Sequence, residues 1–191
     1  MWSSNRLIYM NKILEKYNKE IIPAMEKKFG YKNKMAIPKA EKVVINVGLG
    51  SGIKDEKYTE LVEKTLTDIS GQRPVRTKAR KAIAGFKIRE GMDVGVKVTL
   101  RGRKMYDLIY KLVHISFPRV RDFWGIAEKL VDDSGNLSVG FKEHPVFPEV
   151  ALEEVDRSHG LQITIKTTAK NHEEGLELFK LMEFPFKKDN K

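Results

Sequence analysis

The spacing of apolar residues along the chain predicts helices. In four stretches, residues 5–22, 55–69, 105–113 and 172–182, apolar side chains recur at steps of three and four, the spacing of one helix face. Proline lacks the backbone N–H that a helix interior needs, so we expect Pro23 to interrupt the first helix and Pro118 to stop the third. A short helical turn from Pro23 to Phe29, closed by Gly30, is expected to follow the interruption.

Alternation of apolar and polar residues predicts strands. Val43 and Val47 fall on one face of a strand over residues 39–47, and Asn46 falls on the other. Residues 94–101 alternate strictly, which gives a strand with an apolar face and a polar, basic face. Shorter strands are expected at residues 74–78, 86–88, 137–141 and 162–168, with a turn at 132–136. Without a repeat or a linker, the pattern predicts a single α+β domain over residues 1–191.

The positive charge of the chain is concentrated in one segment. The 191 residues include 36 Lys and Arg against 26 Asp and Glu, a formal net charge of +10. Residues 71–104 hold eleven basic and two acidic residues, hence +9, which leaves +1 for all other residues. Such a local surplus attracts a polyanion. The alternative is a solvated loop that happens to be basic, and we favour nucleic acid as the partner over it.

Composition and spacing argue against several other classes of protein. The chain has no cysteine, which excludes a disulfide scaffold and a Cys-ligated zinc module. The longest stretch without a charged residue, 43–53, is shorter than the about 20 residues of a membrane span, and the N-terminal apolar patch is too short for a signal peptide. The four histidines are isolated in sequence and lack the spacing of a metal site. We expect a soluble, cytoplasmic protein without a cofactor or a metal.

The glycine-rich turn after the first strand is the motif that comes nearest to an enzyme. Gly48 and Gly50 are followed by Ile53 where a dinucleotide-binding motif needs its third glycine, and no P-loop or nucleophile-elbow motif is present. A plain turn is the favoured interpretation, so we expect no enzymatic activity and no small-molecule substrate. A nucleotide-dependent enzyme is the second hypothesis. A DNA-binding protein is the third hypothesis. It is less favoured because no helix carries basic and amide side chains together on one exposed face, which readout of the major groove requires.

Seven motifs spread along the chain point to a known family. They are I-N-V-G-L-G (45–50), G-Q-R-P-V-R-T-K-A-R-K (71–81), G-F-K-I-R-E-G (85–91), G-V-K-V-T-L-R-G (95–102), F-P-R-V-R-D-F (117–123), F-P-E-V (147–150) and T-T-A-K (167–170). In one register from about Tyr17 to Lys187, the chain resembles the bacterial ribosomal protein L-five family of the large subunit. The resemblance implies an α+β fold in which helices cover one side of an antiparallel β-sheet, with an extended basic loop. Residues 1–9 precede the common start of the family and are expected to form a flexible N-terminal extension.

The resemblance implies a structural RNA-binding role in the cytoplasmic large ribosomal subunit. Members of the family hold 5S rRNA in the central protuberance, contact the large-subunit rRNA and adjoin neighbouring central-protuberance proteins. The polar residues of the family's 5S motifs fall here on Asn46, Gln72 and Thr99. Asn46 and Thr99 also fall on polar strand faces, from which an amide or hydroxyl reaches phosphate, the 2′-hydroxyl or a base edge. Lys97 and Arg101 share the face of Thr99, and we expect all five residues to bind 5S rRNA.

The basic loop of residues 78–87 resembles the family's extended loop that reaches the elbow of the P-site tRNA. Its cations are Lys78, Arg80, Lys81 and Lys87. They supply charge for phosphate, and Phe86 offers a stacking surface. Packing of Phe86 on the edge of the core is an equal alternative.

A third contact is implied after the third predicted helix. Arg119 and Arg121 match the part of the family near the intersubunit bridge with small-subunit ribosomal protein thirteen. Trp124 stands where the family usually has arginine. This difference replaces a guanidinium group, which pairs with phosphate, by a large apolar ring at the implied contact.

Overall fold

The structure is a computed structural model that describes residues 13–50, 52, 55–150 and 158–187. The predicted extension at residues 1–9 and the first part of the predicted N-terminal helix lie outside the described residues. The chain divides into two units. The first comprises Met1–Val43, Leu100–Val139 and Thr164–Lys191, and the second comprises Val44–Thr99 and Gly140–Ile163.

The strands form one five-stranded antiparallel sheet in the order β2-β3-β1-β5-β4. They are β1 (Ala40–Gly48), β2 (Val75–Lys78), β3 (Asp93–Leu100), β4 (Leu137–Phe141) and β5 (Leu161–Thr167). Val43, Ile45 and Val47 are fully buried in β1, whereas Asn46 is exposed. The period-two pattern of the sequence therefore predicted correctly which face of β1 enters the core.

Helices pack on this sheet, so the predicted α+β fold is confirmed. Their bounds are α1 (Ile22–Phe29), α2 (Glu56–Ser70), α3 (Gly102–Lys111) and α4 (His172–Leu181). The Asp55 side chain caps α2 by accepting a hydrogen bond from the backbone N–H of Lys57 at 3.1 Å. Gly71 ends the same helix with φ 61°, in the left-handed region that favours glycine.

The expected short helix from Pro23 to Phe29, closed by Gly30, is confirmed as α1. Neither proline interrupts the helical backbone at its own position, although the segment that contains Pro118 ends one residue later, at Arg119. Pro23 lies in the first turn of α1, and Pro118 lies in a short helical segment, Phe117–Arg119. A five-residue π-helical turn directly precedes each segment, Tyr17–Ile21 in the first case and Leu112–Ser116 in the second. A π-helical turn already breaks the regular series of i→i−4 hydrogen bonds, so a proline beside it removes no such bond and the helix continues.

Gly95 marks a close approach of three strands in the second unit. A Cβ atom at this position would lie 2.9 Å from Thr77 Oγ1 on β2 and 3.0 Å from the Val47 carbonyl oxygen on β1. Thr77 pairs with Gly95 across the antiparallel ladder, and the register shifts between Thr77 and Lys78. Because glycine has no side chain, the Thr77 side chain occupies the space above β3.

We predict that Gly95→Ala lowers the free energy of unfolding by about 1–3 kcal/mol, because the added methyl group meets backbone that cannot easily shift. Urea denaturation followed by circular dichroism measures this change. Gly48→Ala is the matched control, since a Cβ at this other sheet glycine has no atom within 4 Å. Equal transition midpoints for the two variants would contradict the prediction.

Candidate nucleic-acid interface

One face of β3 presents a row of small and polar residues in the second unit. Gly95, Lys97 and Thr99 alternate with the buried Val96 and Val98, so they share one face of the strand. Lys97 is exposed and Thr99 is half-buried. Four residues of strand separate the two ends of this row by about 13 Å. We call Gly95, Lys97 and Thr99 the β3 row.

An amide side chain lies at each end of the β3 row. Asn46 Oδ1 is 4.0 Å from the position that a Cβ at Gly95 would take, and Gln72 Nε2 donates a hydrogen bond to the Thr99 carbonyl at 3.4 Å. Both Asn46 and Gln72 are exposed. The structure therefore brings four of the five residues predicted to bind 5S rRNA together along the β3 row: Asn46, Gln72, Lys97 and Thr99. The sequence alone did not show that Gln72 lies beside Thr99.

Gln72 is placed by the end of α2. The Ser70 hydroxyl donates to the Gln72 carbonyl at 3.0 Å and accepts from the Gln72 N–H at 3.2 Å. Gly71 supplies the left-handed turn between the two residues. Both backbone groups of Gln72 are thus satisfied locally, which leaves the side-chain amide to point toward Thr99.

Arg101, the fifth predicted 5S residue, lies in the first unit. It follows β3 in extended backbone, with φ −135° and ψ 164°. Its Nη1 atom lies 3.4 Å from Glu41 Oε1, and Lys166 Nζ lies 2.9 Å from Glu41 Oε2. The hydrogen bond from Lys166 is the main cause that lowers the pKa of Glu41, so the carboxylate stays charged. The sequence pattern does not point to Lys166, because this residue lies outside the basic segment of residues 71–104.

The basic loop is a hydrogen-bonded extension of β2 and β3. At its base, the Ala79 N–H donates to the Met92 carbonyl at 2.8 Å and the Gly91 N–H donates to the Ala79 carbonyl at 3.0 Å. Nearer the tip, Ile83 and Ile88 exchange backbone hydrogen bonds of 2.9 and 3.1 Å. The predicted cations Lys78, Arg80, Lys81 and Lys87 are all exposed.

The tip of the loop is a 3₁₀ turn, Ala84–Phe86, so the predicted strand at residues 86–88 is wrong. Lys87 follows the turn with φ 54°, which reverses the chain where a strand would have continued it. The alternative in which Phe86 packs on the core edge is also wrong, because 74% of Phe86 is exposed. An exposed aromatic ring beside lysine is suited to stacking on a base.

Arg76 differs from the other cations of the basic segment, because it is bound within the protein. Its Nε contacts Glu63 Oε1, its Nη2 lies 3.3 Å from Glu63 Oε2, and its Nη1 lies 3.6 Å from Asp93 Oδ2. The hydrogen bonds and charge of Glu63 raise the pKa of the Arg76 guanidinium. Arg76 therefore links β2 to α2 and to the start of β3.

The predicted bridge residues lie beside an exposed tryptophan in the first unit. Arg119 and Arg121 are exposed, and 80% of Trp124 is exposed. The neighbouring Phe123 turns inward and stacks on Phe117, with ring centroids 5.2 Å apart. Phe123 thus anchors this loop to the protein, whereas the ring of Trp124 is exposed to solvent.

The glycine-rich turn uses its backbone groups within the protein. The Leu49 N–H donates to the Val94 carbonyl at 3.0 Å, and Leu49 itself is fully buried. A Cβ at Gly52 would lie 2.2 Å from the Tyr58 ring, so packing explains this glycine.

Within the described part of the chain, no helix is both long and apolar enough for a membrane crossing.

Two of the four histidines meet, although the sequence separates them. His144 and His159 are buried in the second unit with ring centroids 4.2 Å apart, and the backbone N–H of His159 donates a hydrogen bond to His144 Nδ1 at 3.2 Å. Among residues 13–50, 52, 55–150 and 158–187, no group of three or more acidic or histidine side chains is placed to hold a metal ion.

Comparison with known proteins identifies the family of this chain. Residues 33–89 match a family model described as ribosomal protein L5, and residues 93–186 match a second model, which describes the C-terminus of the same ribosomal family. The large ribosomal subunit protein uL5 of Halothermothrix orenii is 50% identical over 177 residues, which cover 93% of this chain and 99% of that protein. The chain belongs to the ribosomal protein L5 family.

Other members of the ribosomal protein L5 family are equally similar. The large ribosomal subunit protein uL5 of Dictyoglomus thermophilum is 50% identical over 179 residues, 94% of this chain and all of that protein. That of Carboxydothermus hydrogenoformans is 50% identical over 177 residues, 93% of this chain and 99% of its own length. The family is one of ribosomal proteins and not of enzymes, so the expectation that the chain is no enzyme is confirmed.

We predict that Arg76→Met lowers the thermal midpoint of unfolding, because it leaves Glu63 and Asp93 without their shared cation. Arg73→Met is the matched control, since Arg73 is an exposed cation three residues earlier and should be neutral to stability. Differential scanning calorimetry gives both midpoints. A double-mutant cycle with Glu63→Gln should show that the two losses are not additive. Equal midpoints for Arg76→Met and Arg73→Met would contradict the assignment.

Proposed function

We propose that the chain binds 5S rRNA through the β3 row and attaches it to the large-subunit rRNA in the central protuberance. Its structural role in the ribosome follows from membership in the ribosomal protein L5 family, and its relatives are named as proteins of the large ribosomal subunit. The chain accordingly resides in the cytoplasm with that subunit. The observation that carries the 5S assignment is the β3 row, with the exposed Lys97 in its middle and the exposed Asn46 and Gln72 at its ends.

The chemistry of the β3 row suits RNA. Amides offer both donors and acceptors, and the hydroxyl of Thr99 offers a donor and acceptors as well, so these groups can pair with a 2′-hydroxyl or a base edge. Lys97 supplies a charge for phosphate in the middle of the row. Asn46 is exposed at the end of the row, where its amide is accessible to RNA.

The remaining contacts of the proposal lie on two further surfaces. The basic loop, with Phe86 at its tip, contacts P-site tRNA by phosphate pairing and stacking. Arg119 and Arg121 contact small-subunit ribosomal protein thirteen across the intersubunit bridge, and the exposed Trp124 adds apolar area there. The strands β1, β3, β4 and β5 each contain residues of both units, and we propose that residues 1–191 act as one RNA-binding domain.

We predict salt-dependent binding of 5S rRNA. With roughly five phosphate contacts, the slope of log affinity against log salt concentration should be near −0.7 times five. Affinity should therefore fall about a hundredfold between about 50 and 200 mM salt. Lys97→Met should reduce the slope by roughly 0.7, whereas Asn46→Ala should lower affinity and leave the slope unchanged, because it removes no charge. Filter-binding titrations measure both quantities. Equal affinity for an unrelated RNA of the same length would contradict the proposal.

We predict that replacing Lys78, Arg80 and Lys81 together by methionine separates the two RNA contacts. Affinity for 5S rRNA should stay nearly unchanged, because the β3 row is intact. In ribosomes reconstituted with the variant, P-site tRNA should dissociate faster by on the order of tenfold, since three phosphate partners are lost. Stopped-flow release of labelled tRNA measures this rate. Equal losses for both RNAs would mean that the loop belongs to the 5S surface instead.

A further inference from the structure

We infer that Arg101 and Lys166 form a second phosphate site for RNA in the first unit, with Glu41 holding the two cations beside each other. The ligand is a phosphodiester group of 5S rRNA, and the inference rests on the proposed function. It assigns a role to Lys166, which lies at an exposed position of β5 and outside the basic segment of residues 71–104.

The contacts of Glu41 place the two cations close together. Its Oε1 lies 3.4 Å from Arg101 Nη1, and its Oε2 lies 2.9 Å from Lys166 Nζ. A carboxylate and a phosphodiester group each present two charged oxygens, so two cations spaced for one are spaced for the other. Lysine has three donors and arginine has five, hence both keep donors for an incoming phosphate.

The exposure of the three side chains shows that this cluster is accessible. The exposed fractions are 57% for the Arg101 side chain, 47% for Lys166 and 34% for Glu41. Ion pairs this exposed contribute little to folding stability, because water solvates both partners. Arg101 and Lys166 can therefore exchange Glu41 for a phosphate with little loss of folding stability. Arg76 differs from them, because Glu63 and Asp93 hold it within the protein.

The position of Lys166 fits the polar face of the sheet. Gln162 and Lys166 are exposed on β5, and the residues between them, Ile163 and Ile165, are buried around Thr164. β1 lies between β3 and β5 in the strand order, and Glu41 on β1 contacts a cation from each side. Lys166 lies outside the basic segment of residues 71–104, which is why a count of charges along the sequence does not reveal it.

The test compares Lys166→Met with Lys180→Met. Lys180 on α4 is a matched control, because it also forms an exposed ion pair, 2.6 Å from Glu128. We expect Lys166→Met to weaken 5S rRNA binding by about three- to fivefold at about 100 mM salt and to reduce the salt slope by roughly 0.7. Lys180→Met should change neither quantity, and both variants should keep the thermal midpoint of the unsubstituted chain.

Glu41→Gln and Arg101→Met complete the experiment. Glu41 competes with phosphate for both cations, so Glu41→Gln should tighten binding by about two- to fivefold, and this gain should vanish in the Lys166→Met background. The losses from Arg101→Met and Lys166→Met should be less than additive, since both side chains hold the same phosphate.

The outcomes separate the inference from the function on which it rests. If the unsubstituted chain does not bind 5S rRNA, the proposed function fails and the inference fails with it. If the chain binds 5S rRNA but Lys166→Met binds equally well, or loses no more than Lys180→Met, only the second phosphate site is overturned. An unchanged gain from Glu41→Gln in the Lys166→Met background would likewise overturn it.

Discussion

The fold depends on the burial of one face of its sheet, and that burial leaves the other face for recognition. In β3 the apolar side chains alternate with small or polar ones, and in β1 Val43, Ile45 and Val47 are buried on one face. A shift of one residue would place Val43, Val96 and Val98 in water. The same constraint fixes Asn46, Lys97 and Thr99 on the outer face. Core packing and the candidate RNA surface are therefore two consequences of one register.

The charges of the protein act according to their local partners and not according to their number. Arg76 lies inside the most basic segment of the chain, yet Glu63 and Asp93 bind it, so it stabilises the sheet. Lys166 lies outside that segment, yet it is exposed and shares Glu41 with Arg101. A sequence count places a surplus of charge in a region, whereas the ion pairs decide which cations are accessible to a phosphate.

Most of the fold was predictable because its signals are local. The period-two strands, the Asp55 cap and the Gly71 helix end depend on neighbouring residues alone, and the structure has all of them. The continuation of the helix through Pro23 and Pro118 depends on the π-helical turns before them, for which the sequence carries no simple pattern. The contacts of Gln72 with Thr99 and of Lys166 with Glu41 join residues distant in sequence, so periodicity could not reveal them.

The arrangement separates two parts of RNA recognition. Uncharged groups at the ends of the β3 row, Asn46 and Gln72, can read shape, hydroxyls and base edges, while cations supply affinity that falls with salt. Glycine at position 95 matters to the first part, because a larger residue would meet Thr77 and the Val47 carbonyl oxygen directly beside Asn46. Glu41 matters to the second part, because it contacts both Arg101 and Lys166 and competes with phosphate for them. Selectivity thus depends on the register of the sheet, and affinity depends on ion pairs that can exchange partners.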